Sequence, residues 1–86
     1  MNNPKTKLVI DVVIERLCKY MGEQSLTQYR IAQQSNLPLS TVKSIMQRRA
    51  KGVELNTIIL LANGLGITPS EFINDPSFWA DNLDLN

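Results

Sequence analysis

Residues 26–49, LTQYRIAQQSNLPLSTVKSIMQRR, predict two short helices joined by a tight turn. The spacing places the first helix over Gln28–Ser35 and the second over 38–48, with Asn36 in the turn. Apolar residues fall on one side of each helix, so the two can pack at a steep angle over a shared core. These residues are Leu26, Ile31 and Ala32 for the first helix and Leu37, Val42 and Ile45 for the second.

The outward side of the second predicted helix is polar or small and carries no carboxylate. It is formed by Leu39, Ser40, Lys43, Ser44 and Gln47. A braced helix with such a side can enter the major groove of DNA, where base edges display a distinct pattern of donors and acceptors. The stretch therefore predicts a small sequence-specific DNA-binding domain. Leu39 and Ser40 are weak base readers, so we expect phosphate contacts and DNA shape to carry much of the affinity.

The helix starts carry further signals. Thr27 has the residue type and place of an N-cap for the first helix of the pair. Gln28 follows at the first helical position, where its side chain and the free backbone N–H groups can meet a phosphate. Asn36 suits a left-handed turn residue, and Pro38 suits the first turn of the second helix.

Charge is segregated along the chain, although its total is only +1. The charged residues within 24–52 are all basic, namely Arg30, Lys43, Arg48, Arg49 and Lys51. Those from residue 53 onward are all acidic, namely Glu54, Glu71, Asp75, Asp81 and Asp84. This asymmetry predicts one face for a polyanion and another kept away from it. Arg49 and Lys51, in the loop after the second helix, are predicted to contact phosphates.

Composition narrows the class of protein. The 86 residues predict one domain over 1–86, with a loose arm at 1–6, a helical core at 7–74 and a short C-terminal segment at 75–86. The chain has no histidine and one cysteine, which removes the usual general base and metal ligands, so we predict no enzyme, cofactor or metal site. No bilayer-spanning run or secretory leader is evident, and we expect a cytoplasmic protein without a membrane partner.

A helix over 7–21 should precede the pair, with Gly22 as its C-cap. Its apolar residues form a broad stripe, which places Arg16 and Lys19 on the wetter side. Cys18 lies inside this helical pattern and is predicted to be a buried structural thiol.

Two more helices should follow the pair, which makes the fold class all-α, a compact bundle of about five short helices. One runs over Leu55–Leu65 and is ended by Gly64 and Gly66. The other opens with Thr68-Pro69-Ser70-Glu71, a capping box, and ends near residue 74. A last short helix is expected through 78–80. There, Phe78 and Trp79 either cover the core or form a dimer contact.

The ordered set of pieces resembles the lambda-repressor-like helix-turn-helix domains of phage and bacterial regulators, the Cro/XRE type. The pieces are Leu26-Thr27-Gln28, Ile31-Ala32, Ser35-Asn36-Leu37, Ser40-Thr41-Val42, Ile45, Leu55, Thr57-Ile58, Leu61-Ala62, Leu65-Gly66-Ile67 and Phe72. They span roughly residues 16–74. The resemblance implies a bundle of about five helices whose second and third form the DNA-binding unit.

The resemblance also implies roles for single residues. Gln28 would contact phosphate and brace recognition side chains, and Thr41 would point to the sugar-phosphate backbone. The full predicted DNA-binding set is Thr27, Gln28, Pro38, Leu39, Ser40, Thr41, Lys43, Ser44, Gln47, Arg49 and Lys51. The chain departs from the family pattern in three places: Asn36 and Arg48 replace usual glycines, and Pro38 replaces a capping serine or threonine.

The function expected from these features is a transcriptional regulator, acting as a repressor, that binds a palindromic operator on double-stranded DNA as a homodimer. A neighbouring alternative is the antitoxin of a toxin–antitoxin pair, which would also hold a protein partner. A different class is a protein-interaction module on the same scaffold that has lost DNA contact.

Overall fold

The computed structural model describes residues 6–85, and within them five α-helices pack around one core. The helices are α1 Val9–Gln24, α2 Gln28–Ser35, α3 Leu39–Met46, α4 Leu55–Leu65 and α5 Pro69–Ile73. The predicted fold class is confirmed, and α2 and α4 have the predicted bounds. Of the arm predicted at 1–6, residues 1–5 lie outside the described part of the chain.

The two ends of the described chain meet in a short β pairing that the sequence did not predict. Strand β1, Lys7–Leu8, replaces the expected first turn of α1 and runs parallel to strand β2, Leu83–Asp84. Lys7 lies beside Leu83, and its ammonium group donates to Glu15 on α1 at 2.8 Å. The C-terminal segment is therefore folded back onto the start of the chain.

The segment between α5 and β2 forms two 3-10 turns, Pro76–Phe78 and Ala80–Asn82, in place of the predicted single helix. The Asp75 carboxylate starts the first turn by accepting the Ser77 N–H at 2.9 Å. The expectations for the two aromatic residues divide here. Phe78 packs against the core, whereas the Trp79 side chain is 65% exposed.

The α1–α2, α2–α3 and α4–α5 connections share one three-residue pattern: a left-handed residue, an apolar residue, and the residue that precedes the next helix. They are Ser25-Leu26-Thr27, Asn36-Leu37-Pro38 and Gly66-Ile67-Thr68. In each, the apolar residue donates its N–H to the carbonyl five residues earlier, at 2.8 to 3.0 Å, and packs against the core. This is the Schellman ending of a helix, and the same apolar residue has the staple position for the next one.

This connection pattern corrects the predicted end of α1. The helix continues past Gly22 to Gln24, and Ser25 takes the left-handed conformation with φ 56°. The turn is placed by Leu26, which reaches the core and whose N–H bonds to Met21 O at 2.8 Å. Asn36 adopts φ 55°, so the left-handed turn predicted there is confirmed.

Arg16 was predicted on the wetter side of α1, and this is wrong because its side chain is buried against the end of α5. Its Nε donates to Phe72 O and its Nη2 to Glu71 O, both at 2.8 Å. The guanidinium also bonds to the Tyr20 hydroxyl at 3.2 Å and lies 3.6 Å from an Asp75 oxygen. The guanidinium thus donates to Phe72 O and adds a second donor to Glu71 O, which also accepts the Asn74 N–H at 3.3 Å, and these bonds explain how a cation is accommodated there.

The prediction for Cys18 is also wrong, because its thiol is exposed. Cys18 lies on the solvent side of α1 together with Glu15 and Gly22, at spacings of three and four residues. Burial of α1 is set by the helices that cover it, and they leave this stripe open.

Gly64 was predicted to end α4, but it lies within the last turn and Gly66 follows the helix end with φ 76°. A Cβ atom built on Gly64 would lie 2.8 Å from the backbone nitrogen of Ser35. Gly64 therefore lets the end of α2 pack directly on the α4 backbone. This contact helps to set the position of α2 in the bundle.

Candidate nucleic-acid interface

The start of α2 is organised as the sequence predicted. The Thr27 hydroxyl accepts the Arg30 N–H at 3.1 Å, which makes Thr27 the N-cap. Gln28 occupies the first helical position, and both Thr27 and Gln28 are exposed. No carboxylate lies in this first turn, so the partial positive charge of the helix start faces solvent without an acidic side chain from its own turn.

Helix α3 is held from beneath by two side chains. Val42 is fully buried and Ile45 is 6% exposed, and both belong to the core cluster that includes Ile31 and Ala32 of α2. The anchored helix is short and its residue types are middling helix formers, so packing rather than propensity fixes its direction. The packing against α2 joins the pair through one shared core.

The predicted outward side of α3 is divided into two levels. Ser40, Lys43 and Gln47 are exposed, at the spacing of one helix face. Thr41 and Ser44 are half-buried, and the Leu39 side chain packs partly against the core. The described face of α3 thus presents exposed amide, ammonium and hydroxyl groups, with two further hydroxyls recessed beside them.

The bounds of α3 differ from the prediction at both ends. Pro38 is exposed and precedes the helix, and its carbonyl accepts the Thr41 N–H at 3.0 Å. Proline has no side-chain oxygen, so Pro38 does not cap the backbone N–H groups in the first turn of α3. The helix ends at Met46 rather than 48, because Arg48 takes the left-handed conformation with φ 55°.

The α3–α4 connection departs from the pattern of the other three. It ends α3 with the same hydrogen bonds, Arg48 N–H to Ile45 O at 3.0 Å and Arg49 N–H to Ser44 O at 3.1 Å. Where the other connections place Leu or Ile against the core, this one has the exposed side chain of Arg49. The loop also continues for several residues, through exposed Lys51. The apolar residue that packs against the core comes only at Val53, just before α4, so the exposed cations precede it and are available to an external polyanion.

Carboxylates approach this basic loop, which corrects the predicted separation of charge; Asp84, for example, lines one cleft together with Lys51. Asp11, on the first turn of α1, forms an ion pair with Arg48. Glu54 shares with Arg49 the lining of a cleft of about 330 Å³ beside α3. The cleft is lined by Ile10, Thr41, Ser44, Ile45, Arg49, Ala50, Gly52, Val53, Glu54 and Thr57. Asp11 was missed because it lies 37 residues from its partner, beyond the reach of any local pattern.

The loop is also tied to the start of α1 through its backbone. The Ile10 N–H donates to Lys51 O at 2.9 Å, which joins a free donor of the first turn of α1 to the loop. The structure thus brings α3, the basic loop and the α1 start together. Thr27 and Gln28 lie apart from these elements, at the start of the neighbouring helix α2.

Residues 16–76 match the family model of the Cro/C1-type helix-turn-helix DNA-binding domain. The chain therefore belongs to this family, and the resemblance inferred from the sequence is confirmed. Domains of this family bind DNA and are typically non-enzymatic. No curated protein and no solved structure gives a match to the chain. None of the helices within residues 6–85 has the length and apolar content needed to cross a membrane.

Proposed function

We propose that this chain is a transcriptional repressor that binds operator DNA as a homodimer, with α3 in the major groove. The observation that carries the proposal is the exposed, carboxylate-free side of α3 next to a connection that presents Arg49 where its counterparts present an apolar residue, with exposed Lys51 two residues further on. The family assignment gives the coarser statement, a DNA-binding regulator.

In this proposal the residues on the outward side of α3 make different contacts with the bases. Lys43, Ser44 and Gln47 meet base edges, because an ammonium, a hydroxyl and an amide supply the donors and acceptors that the major groove can distinguish. Leu39 and Ser40 enter the groove first, and Leu39 offers only apolar contact. Direct base readout is therefore limited, and sequence-dependent DNA shape contributes to operator choice.

The remaining proposed contacts are to the DNA backbone. Thr27, Gln28, Pro38 and Thr41 lie at or near helix starts, where exposed N–H groups favour a phosphate. Arg49 and Lys51 would add charge-assisted contacts from the loop. These interactions set the register of α3 on the duplex without reading sequence.

The homodimer is proposed because one recognition helix reads only a few base pairs, and a two-fold pair places the second about 34 Å away along the duplex. Trp79 is the candidate contact, since a large apolar side chain that is 65% exposed is typical of an interface. Sedimentation of the free protein and of its complex with a palindromic duplex tests this part. A monomer in both would contradict it.

Fluorescence anisotropy with a random-sequence duplex at about 50 and 200 mM salt tests DNA binding. The wild-type chain should bind at the lower salt and weaken steeply at the higher. The variant R49Q/K51Q should bind more weakly, and the slope of log affinity against log salt should fall by about 2, because each lost phosphate contact removes about 0.9. We also propose that the protein is located in the cytoplasm.

The matched control is K7Q/K19Q, which removes the same charge from α1 and β1. Lys7 pairs with Glu15, and the Lys19 ammonium lies 4.9 Å from the Tyr20 ring centre, on the part of α1 that faces α5. Equal losses for the two double variants would show that only net charge matters, and would refute the assigned contacts. No binding by the wild-type chain would refute the DNA-binding proposal.

A protein-interaction module is the second candidate function. It is favoured by Leu55 and Ile59 on α4, which are 71% and 42% exposed and lie one helical turn apart. An antitoxin would combine this surface with DNA binding. Absence of DNA binding at low salt would promote the interaction module over the regulator.

A further inference from the structure

Arg48 occupies a backbone position that long side chains rarely adopt. Its φ of 55° lies in the left-handed region, where the Cβ atom crowds the following carbonyl. The corresponding residues at the ends of α1, α2 and α4 are Ser25, Asn36 and Gly66, all small. An arginine retained at a strained position beside a functional surface points to a role for its side chain.

The Arg48 side chain reaches across to α1, where its Nε donates to Asp11. The pair is open to solvent, with side-chain exposures of 58% for Arg48 and 32% for Asp11. An ion pair this exposed is weak, because water screens both charges and holding two side chains costs entropy. Asp11 is also favoured at this place by the positive end of α1, so it does not depend on Arg48.

We propose that Asp11 is an internal stand-in for a DNA phosphate, and that Arg48 exchanges the Asp11 carboxylate for a phosphate when DNA binds. This inference rests on the proposed DNA-binding function. Carboxylate and phosphate oxygens offer a guanidinium the same charged acceptor, so either can occupy Arg48. Arg48 directly precedes Arg49 and follows α3, which places it at the edge of the proposed contact surface.

The exchange makes Asp11 an affinity-limiting residue. On binding, Arg48 gains only the difference between its two partners, and the carboxylate left behind repels the phosphate. Both effects lower the sequence-independent electrostatic part of binding, which dominates on non-specific DNA.

The test compares wild-type protein with D11N, R48Q and D11N/R48Q by anisotropy on a random-sequence duplex. Asn and Gln retain the size of the native groups and remove the charge, and thermal unfolding of each variant checks the fold. The control is D81N, which removes an exposed carboxylate from the second 3-10 turn. D11N should tighten binding about twofold to fivefold, the range expected for release of an exposed ion pair. D81N should change it by less than about 1.5-fold.

The double variant separates partner exchange from a general charge effect. If Asp11 acts through Arg48, D11N should tighten binding less in the R48Q background than in wild type, because only the repulsion between Asp11 and the phosphate is then relieved. Equal tightening in both backgrounds, or equal tightening by D81N, would overturn the exchange. Unchanged or weaker binding by D11N would also overturn it, since that result makes the ion pair a support for the loop.

A spectroscopic readout follows Arg48 itself. The Nε–H resonance of Arg48, assigned by its loss in R48Q, should move on D11N substitution in the free protein. In the DNA complexes of wild type and D11N it should converge to one position, because Arg48 then has the same phosphate partner. A resonance that DNA does not move would overturn the inference. If the wild-type chain does not bind DNA at all, the proposed function and this inference fall together, whereas wild-type binding with an unmoved resonance refutes only the exchange.

Discussion

Replacement of Gly64 by Ala should destabilise the protein, although the same change inside most helices stabilises it. Gly64 lies in the last turn of α4, against the end of α2. A Cβ atom there would lie 2.8 Å from Ser35 N and 2.9 Å from Ser35 Cα, and would also overlap the Ser35 hydroxyl. Because two of these atoms belong to the backbone, a side-chain rotation cannot relieve the overlap. Helix α2 has to move away from α4.

The magnitude follows from two opposing terms. Ala in a helix interior gains about 1 kcal/mol over Gly, chiefly because the unfolded chain has less freedom to lose. Overpacking a closely packed contact costs about 1–3 kcal/mol. The backbone overlap places Gly64→Ala at the upper end of that cost, so we expect a net loss of about 1–2 kcal/mol. For a domain of this size, that lowers the unfolding midpoint by roughly 5–15 °C.

Gly22→Ala is the matched control. Gly22 also lies inside a helix, α1, but among the described residues no heavy atom outside its own helical surroundings lies within 4 Å of a Cβ built on it. This variant should therefore gain about 0.5–1 kcal/mol. Urea unfolding followed by far-ultraviolet circular dichroism measures both; Trp79 is too exposed to report on the core. If Gly64→Ala stabilised the protein as much as Gly22→Ala does, the close packing of α2 on α4 would be refuted.

Two further predictions concern Asp75 and Cys18. Hydrogen bonds from Ser77, and then the charge of Arg16, lower the pKa of Asp75 in the folded protein. The Asp75 carboxylate therefore contributes fully to stability above about pH 4, and this contribution is lost as the pH falls through the lower folded-state pKa. Urea unfolding between about pH 5 and 2 should show a smaller decrease in the free energy of unfolding for D75N than for wild type. Equal decreases would contradict this assignment. The exposed Cys18 thiol should react with a disulfide reagent in the native protein nearly as fast as in urea, and reaction only after unfolding would contradict its position on the solvent side of α1.

The central pair could be predicted from sequence because its signals act over short distances. Leu26 and Leu37 each end one helix and occupy the staple position of the next, and Thr27 caps its own first turn. Asn36 marks the left-handed residue between them. These interactions connect residues within about five positions, so the order of residue types contains the information.

The end of α1 shows that local sequence signals do not always determine where a helix ends. Gly22 is the residue type that most often follows a helix, yet the helix passes through it and Ser25 adopts the left-handed conformation. With the turn at Ser25, Leu26 packs against the core and its N–H bonds to Met21 O. Which of two possible turns forms is thus decided by what the next apolar residue can cover.

By itself the sequence determined the five-helix order, the helix-turn-helix and the family to which the chain belongs, because periodicity, caps and turn residues are local. Only the tertiary structure decided which polar groups are buried and which charges meet. Arg16 is buried because carbonyls at the end of α5 accept its N–H groups, and Cys18 is exposed because no element within residues 6–85 covers its stripe of α1. Asp11 meets Arg48 because the start of α1 packs beside the loop that follows α3. Burial and ion pairing depend on residues far apart in the chain, and packing of the helices brings them together.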